Sequence, residues 1–249
     1  TAQTRELAMS KYDLIGKGYA HLRRPDPRIA EAIHMHLDDA RSVVNVGAGS
    51  GSYEPVDREV VAVEPSSDMI AQREAGAAPA IQASAEALPF GDDSFDAAMA
   101  VLTIHHWSNQ AKGLRELRRI ARDKVVLVTF DPASRPWLTE YLPQLAQLDE
   151  SQMPSLDFYS SILGEVDVHP LPVPHDCSDG FLYAYWSRPE AYLDPALRAG
   201  SSSFWALPGI EGGLLRLERD LHDGTWKAHY GHLASQAEYD AGYRIVVSR

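Results

Sequence analysis

Apolar and polar positions fall along the chain in two textures. Short runs rich in β-branched residues, at Ser42–Val46, Val60–Val63, Ala80–Ala83, Phe95–Val101, Lys124–Phe130 and Tyr243–Val247, are separated by stretches with helical spacing. Alternation of short apolar strands with helices is the mark of a parallel sheet covered by helices. The clearest helix spans Ala111–Arg122. Ala111, Leu114, Leu117, Ile120 and Ala121 share one face, and Lys112, Arg115, Arg118, Arg119 and Arg122 share the other, which reads as a solvated exterior.

The texture changes after residue 131. Residues 132–164 take helical spacing, with Trp137, Leu138, Tyr141, Leu142 and Leu145 in amphipathic positions. Glu165–Pro174 reads as an extended edge segment, because Pro170, Pro172 and Pro174 have no N–H for a central ladder. Residues 175–240 hold further helices rich in aromatics, and the chain closes on a last strand. The pattern predicts one α/β domain over residues 1–249, with an N-terminal helical lid at 1–40 and a cofactor-binding core at 41–131. A helical cap with its edge segment follows at 132–240, and the last strand lies at 241–249.

Charge and composition narrow the function. The 249 residues carry a formal net charge of −12, which points away from a nucleic-acid partner, since displacing counterions needs clustered Lys and Arg. Cys177 is the single cysteine, so neither an intramolecular disulfide nor a thiolate-rich metal site can form. The opening segment is polar, without the basic-then-apolar order of a secretory signal. No apolar run approaches the roughly 20 residues that span a bilayer. A cytoplasmic protein with no membrane partner is expected.

The decisive stretch is Val43–Tyr53, VVNVGAGSGSY, where a β-branched strand runs directly into Gly47-Ala48-Gly49-Ser50-Gly51. Glycine serves where a backbone must turn sharply and approach a ligand without a Cβ in the way. At the carboxyl end of the first strand of an open α/β sheet, that ligand is a nucleotide-like cofactor. Glu64 ends the next strand, VVAVEP, where a carboxylate can accept both hydroxyls of an adenosine ribose. Two further elements follow in order. One is Ser84-Ala85-Glu86-Ala87-Leu88-Pro89-Phe90 ahead of the strand Phe95–Val101, and the other is that strand's exit, Leu102-Thr103-Ile104-His105-His106-Trp107.

Taken together, these elements resemble the class I S-adenosylmethionine-dependent methyltransferases, specifically the small-molecule enzymes of the ubiquinone and natural-product type. The resemblance covers residues 10–131 well and the remainder loosely. It implies a doubly wound, mostly parallel seven-stranded Rossmann-like sheet with a helical cap inserted late, S-adenosyl-L-methionine as cofactor, and a small-molecule acceptor. It further implies that Gly47, Ala48, Gly49 and Gly51 face the methionine half of the cofactor and that Glu64 holds the ribose. Pro65 and Met69 would flank the adenine, Ser84, Ala85 and Glu86 would meet its edge, and Leu102 and Thr103 would touch the methionine portion. One departure stands out: only Ser52–Glu59, with Pro55 among them, separate Gly51 from the second strand. That leaves room for little more than a turn or two where the family has a fuller helix. Compensation is expected from the N-terminal helix, where Tyr19 with Arg23 or Arg24 could bind the cofactor's carboxylate.

Methyl transfer needs an aligned nucleophile and, for a hydroxyl or amine, removal of a proton. His106 is the first candidate for general base and His105 the second, since both stand where the fourth strand opens and histidine titrates near neutrality. Adjacent histidines on an extended strand point to opposite sides, so they do not make a metal site together, and no metal is expected. Tyr12, Trp107, Trp137, Tyr141, Tyr185 and Trp186 are the candidate walls for a flat, apolar acceptor. Two other readings compete. An NAD-dependent oxidoreductase is disfavoured by Ser52, which stands where a dinucleotide fingerprint requires its last glycine, and by the lack of a Tyr-x-x-x-Lys pair after the fourth strand. A regulatory, cyclase-like or decarboxylase-like member of the fold would bind the cofactor without net methyl transfer.

Overall fold

The computed structural model describes residues 23–249. Seven strands form one sheet: β1 (Ser42–Val46), β2 (Glu59–Val63), β3 (Ala80–Ile81), β4 (Phe95–Val101), β5 (Ala121–Phe130), β6 (Val166–Pro170) and β7 (Tyr243–Ser248). Their spatial order is β3-β2-β1-β4-β5-β7-β6. Strands β1 to β5 run parallel, and β7 pairs antiparallel with both β5 and β6. The sheet is therefore the mostly parallel, doubly wound kind that the sequence predicts. Chain order reverses between β1 and β4, and the carboxyl edge at such a switch point is where these folds bind ligands.

The strand sequences explain their places. Val43, Val44 and Val46 of β1 and Ala97, Ala98 and Met99 of β4 are fully buried, because helices cover both faces of the central strands. On one face pack α1 (Pro27–Met35), through Ile29 and Ile33, and much of the cap. On the other pack α3 (Gln110–Ile120), through Leu114, Leu117 and Ile120, and α6 (Leu156–Leu163), through Tyr159 and Leu163. Between β2 and β3 lies only the short α2 (Ser67–Ala71), whose N-cap Ser66 accepts from Met69 N.

Several boundaries differ from expectation, β3 ending at Ile81 rather than Ala83 among them. Helix α3 ends at Ile120, and β5 begins at Ala121 with no loop between them. Arg122 and Asp123 are exposed, so in sequence they read as helix surface. The basic face is also less idle than a solvated exterior: Arg119 pairs with Glu116 and Asp92 and donates to the carbonyl of Phe90 at 2.8 Å. Between Gly51 and β2 there is no helix at all, only a turn through Tyr53, whose φ is +64°.

The cap comprises α4 (Leu138–Tyr141), α5 (Pro143–Gln152), α6, α7 (Pro195–Arg198), α8 (Ser202–Trp205), α9 (Glu211–His222) and α10 (Thr225–Tyr230). The predicted extended edge appears as β6 and a two-stranded ribbon joining Val173–Pro174 to Glu238–Tyr239. Among the described residues no helix is long and apolar enough to cross a membrane.

Candidate active site

The loop after β1 is held from three directions. Gly47, Gly49 and Gly51 have φ of +70°, +54° and +100°, a region that L side chains rarely adopt. Gly47 N and Ala48 N both donate to the carbonyl of Val63, at 2.8 and 3.0 Å, which binds the loop to the end of β2. A Cβ on Gly47 would lie 2.1 Å from Thr103 Oγ1, so the loop also rests directly on the exit of β4. The third hold comes from Arg73 and Glu54, a buried pair at 2.7 Å. Arg73 Nη1 reaches the carbonyl of Gly49 at 3.3 Å, and Asn45 Nδ2 donates to Glu54 Oε1 at 3.1 Å. This network stands where the missing helix would have supported the loop, and it was not foreseen from sequence.

Glu64 is 7% exposed. Its Oε2 accepts from Gly49 N at 2.8 Å and its Oε1 from Ser66 N at 3.0 Å. Burial raises its carboxyl pKa, and these two backbone donors and Arg73 oppose the rise. Each carboxylate oxygen has a further lone pair, so the group can still accept two vicinal hydroxyls. Met69 stands alongside: a Cβ on Gly49 would come within 3.4 Å of its Cε. The cradle of glycines, the acceptor pair of Glu64 and the thioether of Met69 therefore fit an adenosine-bearing cofactor. Pro65 and Ser84 are exposed at the same edge, and Ala85 is buried. Glu86 also has a structural role, because its Oε1 accepts from Ser108 Oγ and Asn109 N and so holds the turn that starts α3.

At the exit of β4 the chain turns through Leu102, whose φ is +49°, strained for a residue with a branched side chain. Ile104–His106 then form a 3-10 turn rather than extended strand. This corrects the expectation that the two histidines point apart. Both line one cavity of about 70 Å3, with ring centroids 3.9 Å apart. Burial, reinforced for His105 by His106 and for both by Arg23, lowers their pKa values, to about 3 for His105 and about 4 for His106. Both imidazoles are neutral at pH 7. His106 keeps an exposed face, so burial bears more heavily on His105, which is half-buried. His105 Nδ1 is buried and has no hydrogen-bond partner among the described residues.

The far wall of the cavity comes from the cap and from β5 and β7: Phe130, Asp149, Phe181, Tyr183 and Tyr243, with Ser201, Ser202 and Ser203 at one side. Asp149 had no place in the sequence reading, because an acid on an amphipathic helix reads as surface. The signal was present nonetheless, since Leu145 and Asp149, four residues apart, share the buried face of α5. Burial raises the Asp149 pKa to about 6, against the opposing hydrogen bond from Tyr183.

The expected aromatic walls lie mostly elsewhere. Trp137 and Trp186 are 4% and 1% exposed, with their Nε1 atoms donating to the carbonyls of Trp186 and Val173. Tyr141 donates to Asp220 at 3.1 Å. These three are cap core, because their polar tips are satisfied inside it. Trp107 packs flat on Gly113, where a Cβ would lie 2.4 Å from its Cε3. Tyr185 is half-buried beneath the Arg188 guanidinium, 5.0 Å from the ring centroid. None of the five lines the cavity. Arg24 is exposed and also outside it, whereas Arg23 lines it and is bound by Asp179 at 2.7 Å. Tyr53 donates to the same carboxylate at 2.6 Å, tying the loop after β1 to the cap. Tyr12 and Tyr19 lie outside the described residues. Among the described residues, no three His, Cys, Asp or Glu side chains gather as a metal set would require.

Comparison with known proteins agrees with this geometry. A family model described as a methyltransferase domain matches residues 44–129. A candidate methyltransferase from an antibiotic biosynthesis pathway of Anabaena variabilis has a solved structure 35% identical to the chain. It superposes with a TM-score of 0.80 over 92% of this chain and 99% of that one. The uncharacterized methyltransferase YcgJ of Bacillus subtilis is 30% identical over 119 residues, 43% of this chain and 47% of that protein. The matched stretch thus spans about half the length of the curated relatives. The [4+2]-cyclase SpnF shares the fold alone, at 15% identity and a TM-score of 0.51, over 89% of this chain and 80% of that one. The chain belongs to the class I S-adenosylmethionine-dependent methyltransferase family, whose cofactor is S-adenosyl-L-methionine.

Proposed function

We propose that the protein transfers the methyl group of S-adenosylmethionine to the oxygen or nitrogen of a small aromatic or apolar acceptor, by direct in-line displacement. The observation that carries this reading is the meeting of two features at Leu102 and Thr103. The glycine loop and Glu64 lie on one side of this turn, and the histidine-lined cavity opens on the other. The cofactor, when bound, supplies an electrophilic methyl group on a sulfonium.

The chain's own residues do the rest. Glu64 holds the ribose hydroxyls, Gly47, Ala48, Gly49 and Gly51 let the backbone approach the methionine half, and Met69 with Pro65 flanks the adenine. Phe130, Phe181 and Tyr243 exclude water from the acceptor and fix its plane. His106, with His105 beside it, accepts a proton from the acceptor in its neutral form. Imidazoles with such low pKa values are weak bases, so alignment carries more of the rate than proton removal. The kinship with the Anabaena protein supports a place in secondary metabolism, and the single cysteine, Cys177, is in keeping with a reducing, cytoplasmic setting. In this reading residues 41–131 form the cofactor core, 132–240 the cap and edge, and 241–249 the last strand, while Pro27–Met35 of the expected lid is core helix and the rest of it up to residue 22 lies outside the described residues.

The test is an acceptor screen with S-adenosylmethionine, read as a mass gain of one methylene and appearance of S-adenosylhomocysteine. A second reading, cofactor binding without net methyl transfer, is favoured by the occurrence of a cyclase on this fold. Tight S-adenosylhomocysteine binding with no mass gain across the acceptor panel would select it.

A further inference from the structure

A buried carboxylate without a counter-ion faces the acceptor cavity. Asp149 is 6% exposed, and its Oδ2 accepts the Tyr183 hydroxyl at 2.8 Å. Among the described residues no Lys, Arg or His lies within ion-pair distance of it. The cation that draws on it from further away, Arg135, is bridged to Glu150. Among the described residues the other buried charges mostly stand in opposite pairs, as Arg73 with Glu54 and Arg23 with Asp179, and Glu64, which has none, accepts two backbone N–H groups at the glycine loop. Leaving one charge buried and unpaired is costly, so such a group marks a place where a partner of opposite charge is supplied from outside.

The rest of the cavity suits that partner. His105 and His106 are neutral and add no positive charge, and Arg23 on the same wall is neutralised by Asp179. Phe130 stacks on Tyr183 at 5.2 Å between centroids, and Phe181 meets Tyr243 edge-on at 4.9 Å. Aromatic faces beside a carboxylate are the surroundings that receive an ammonium group, through charge and ring quadrupole together.

We propose that Asp149 anchors the ammonium group of an amine-bearing acceptor, so that small aromatic amines are the substrate class of the cavity. This rests on the cavity being the acceptor site of a methyltransferase. Asp149 has a binding role, and no bond to it forms or breaks.

The experiment titrates two isosteric probes, benzylamine and benzyl alcohol, into the full chain saturated with S-adenosylhomocysteine, near pH 7.5. Benzylamine is expected to bind at least about ten-fold more tightly than the alcohol. Asp149→Asn, which keeps the acceptor for Tyr183, is expected to erase that advantage while leaving S-adenosylhomocysteine affinity within about two-fold of wild type, which also certifies its fold. No amine advantage in the wild type, including failure of both probes to bind, overturns the inference, as does an advantage that survives in Asp149→Asn. Failure of S-adenosylhomocysteine itself to bind would instead strike the methyltransferase reading, so the two outcomes are separable.

Discussion

The backbone N–H of Gly49 donates to Oε2 of Glu64 across 2.8 Å, joining the glycine loop after β1 to the carboxylate that ends β2. The same carboxylate takes Ser66 N, so one side chain organises the loop and the start of α2, and under the proposed function it holds the ribose as well. Glu64→Ala should weaken S-adenosylhomocysteine binding by about 1.5–3 kcal/mol, through lost charge-assisted hydrogen bonds. It should also lower unfolding free energy by about 1 kcal/mol, because two backbone donors lose their acceptor. Calorimetric titration and urea unfolding of the one variant check both, and unchanged affinity would mean the ribose is held elsewhere.

Arg73 and Glu54 test the idea that a buried pair replaces the absent helix. Their side chains are 5% and 9% exposed. Arg73→Ala leaves Glu54 buried without its cation and should cost about 3–5 kcal/mol in urea unfolding. Cofactor affinity should fall with it, since Arg73 also supports the Gly49 carbonyl. Arg73→Met combined with Glu54→Gln should recover much of the stability, because neither charge is then stranded. A loss below about 1 kcal/mol for Arg73→Ala would equate the pair with a surface bridge.

The histidines set the acid side of the rate profile. With pKa values lowered to about 3 and about 4, their titration lies far below neutrality. Once an acceptor is found, a histidine limb in the pH–rate profile should fall near pH 4. His106→Ala should lower turnover by about 10²-fold with cofactor affinity intact. Because both rings face one cavity, His105→Ala should also be felt, at a smaller size. Near wild-type rates in both variants would assign the site to alignment alone.

Asp149 gives a stability signature of definite sign. Its pKa rises from 3.8 to about 6 on folding, so between these values the native state holds the proton more firmly than the unfolded chain. Stability contributed by the group is therefore present below pH 3.8 and lost as pH rises through about 6, by roughly 3 kcal/mol at most. The histidines act oppositely, since their lowered values make stability fall as pH drops below the usual histidine range. Comparing wild type with Asp149→Asn in urea at several pH values isolates the carboxylate: the variant should gain on wild type from pH 4 to 6. A constant gap would contradict the raised value.

Much of the fold was legible because apolar period alone carries it. Ser42–Val46 and Phe95–Val101 have the same bounds in sequence and structure, being largely apolar runs whose centres are buried on both faces. The glycine loop and Glu64 were legible because positive φ and a strand-end acid leave a local mark. The far side of the site was not, since its parts meet only in three dimensions. Trp137 and Trp186 look like an acceptor's walls until their indoles are seen to donate inside the cap. His105 and His106 read as strand until the 3-10 turn puts them side by side. Arg73 and Glu54, nineteen residues apart, carry no local sign of their pairing.

The central claim, that the Gly47–Gly51 loop with Glu64 binds S-adenosylmethionine rather than a dinucleotide, is met most directly by calorimetric titration of the full chain. S-adenosylhomocysteine and S-adenosylmethionine should bind with micromolar-range affinity and NAD should give no saturable signal. Saturable binding of NAD with no response to either sulfur compound would contradict it.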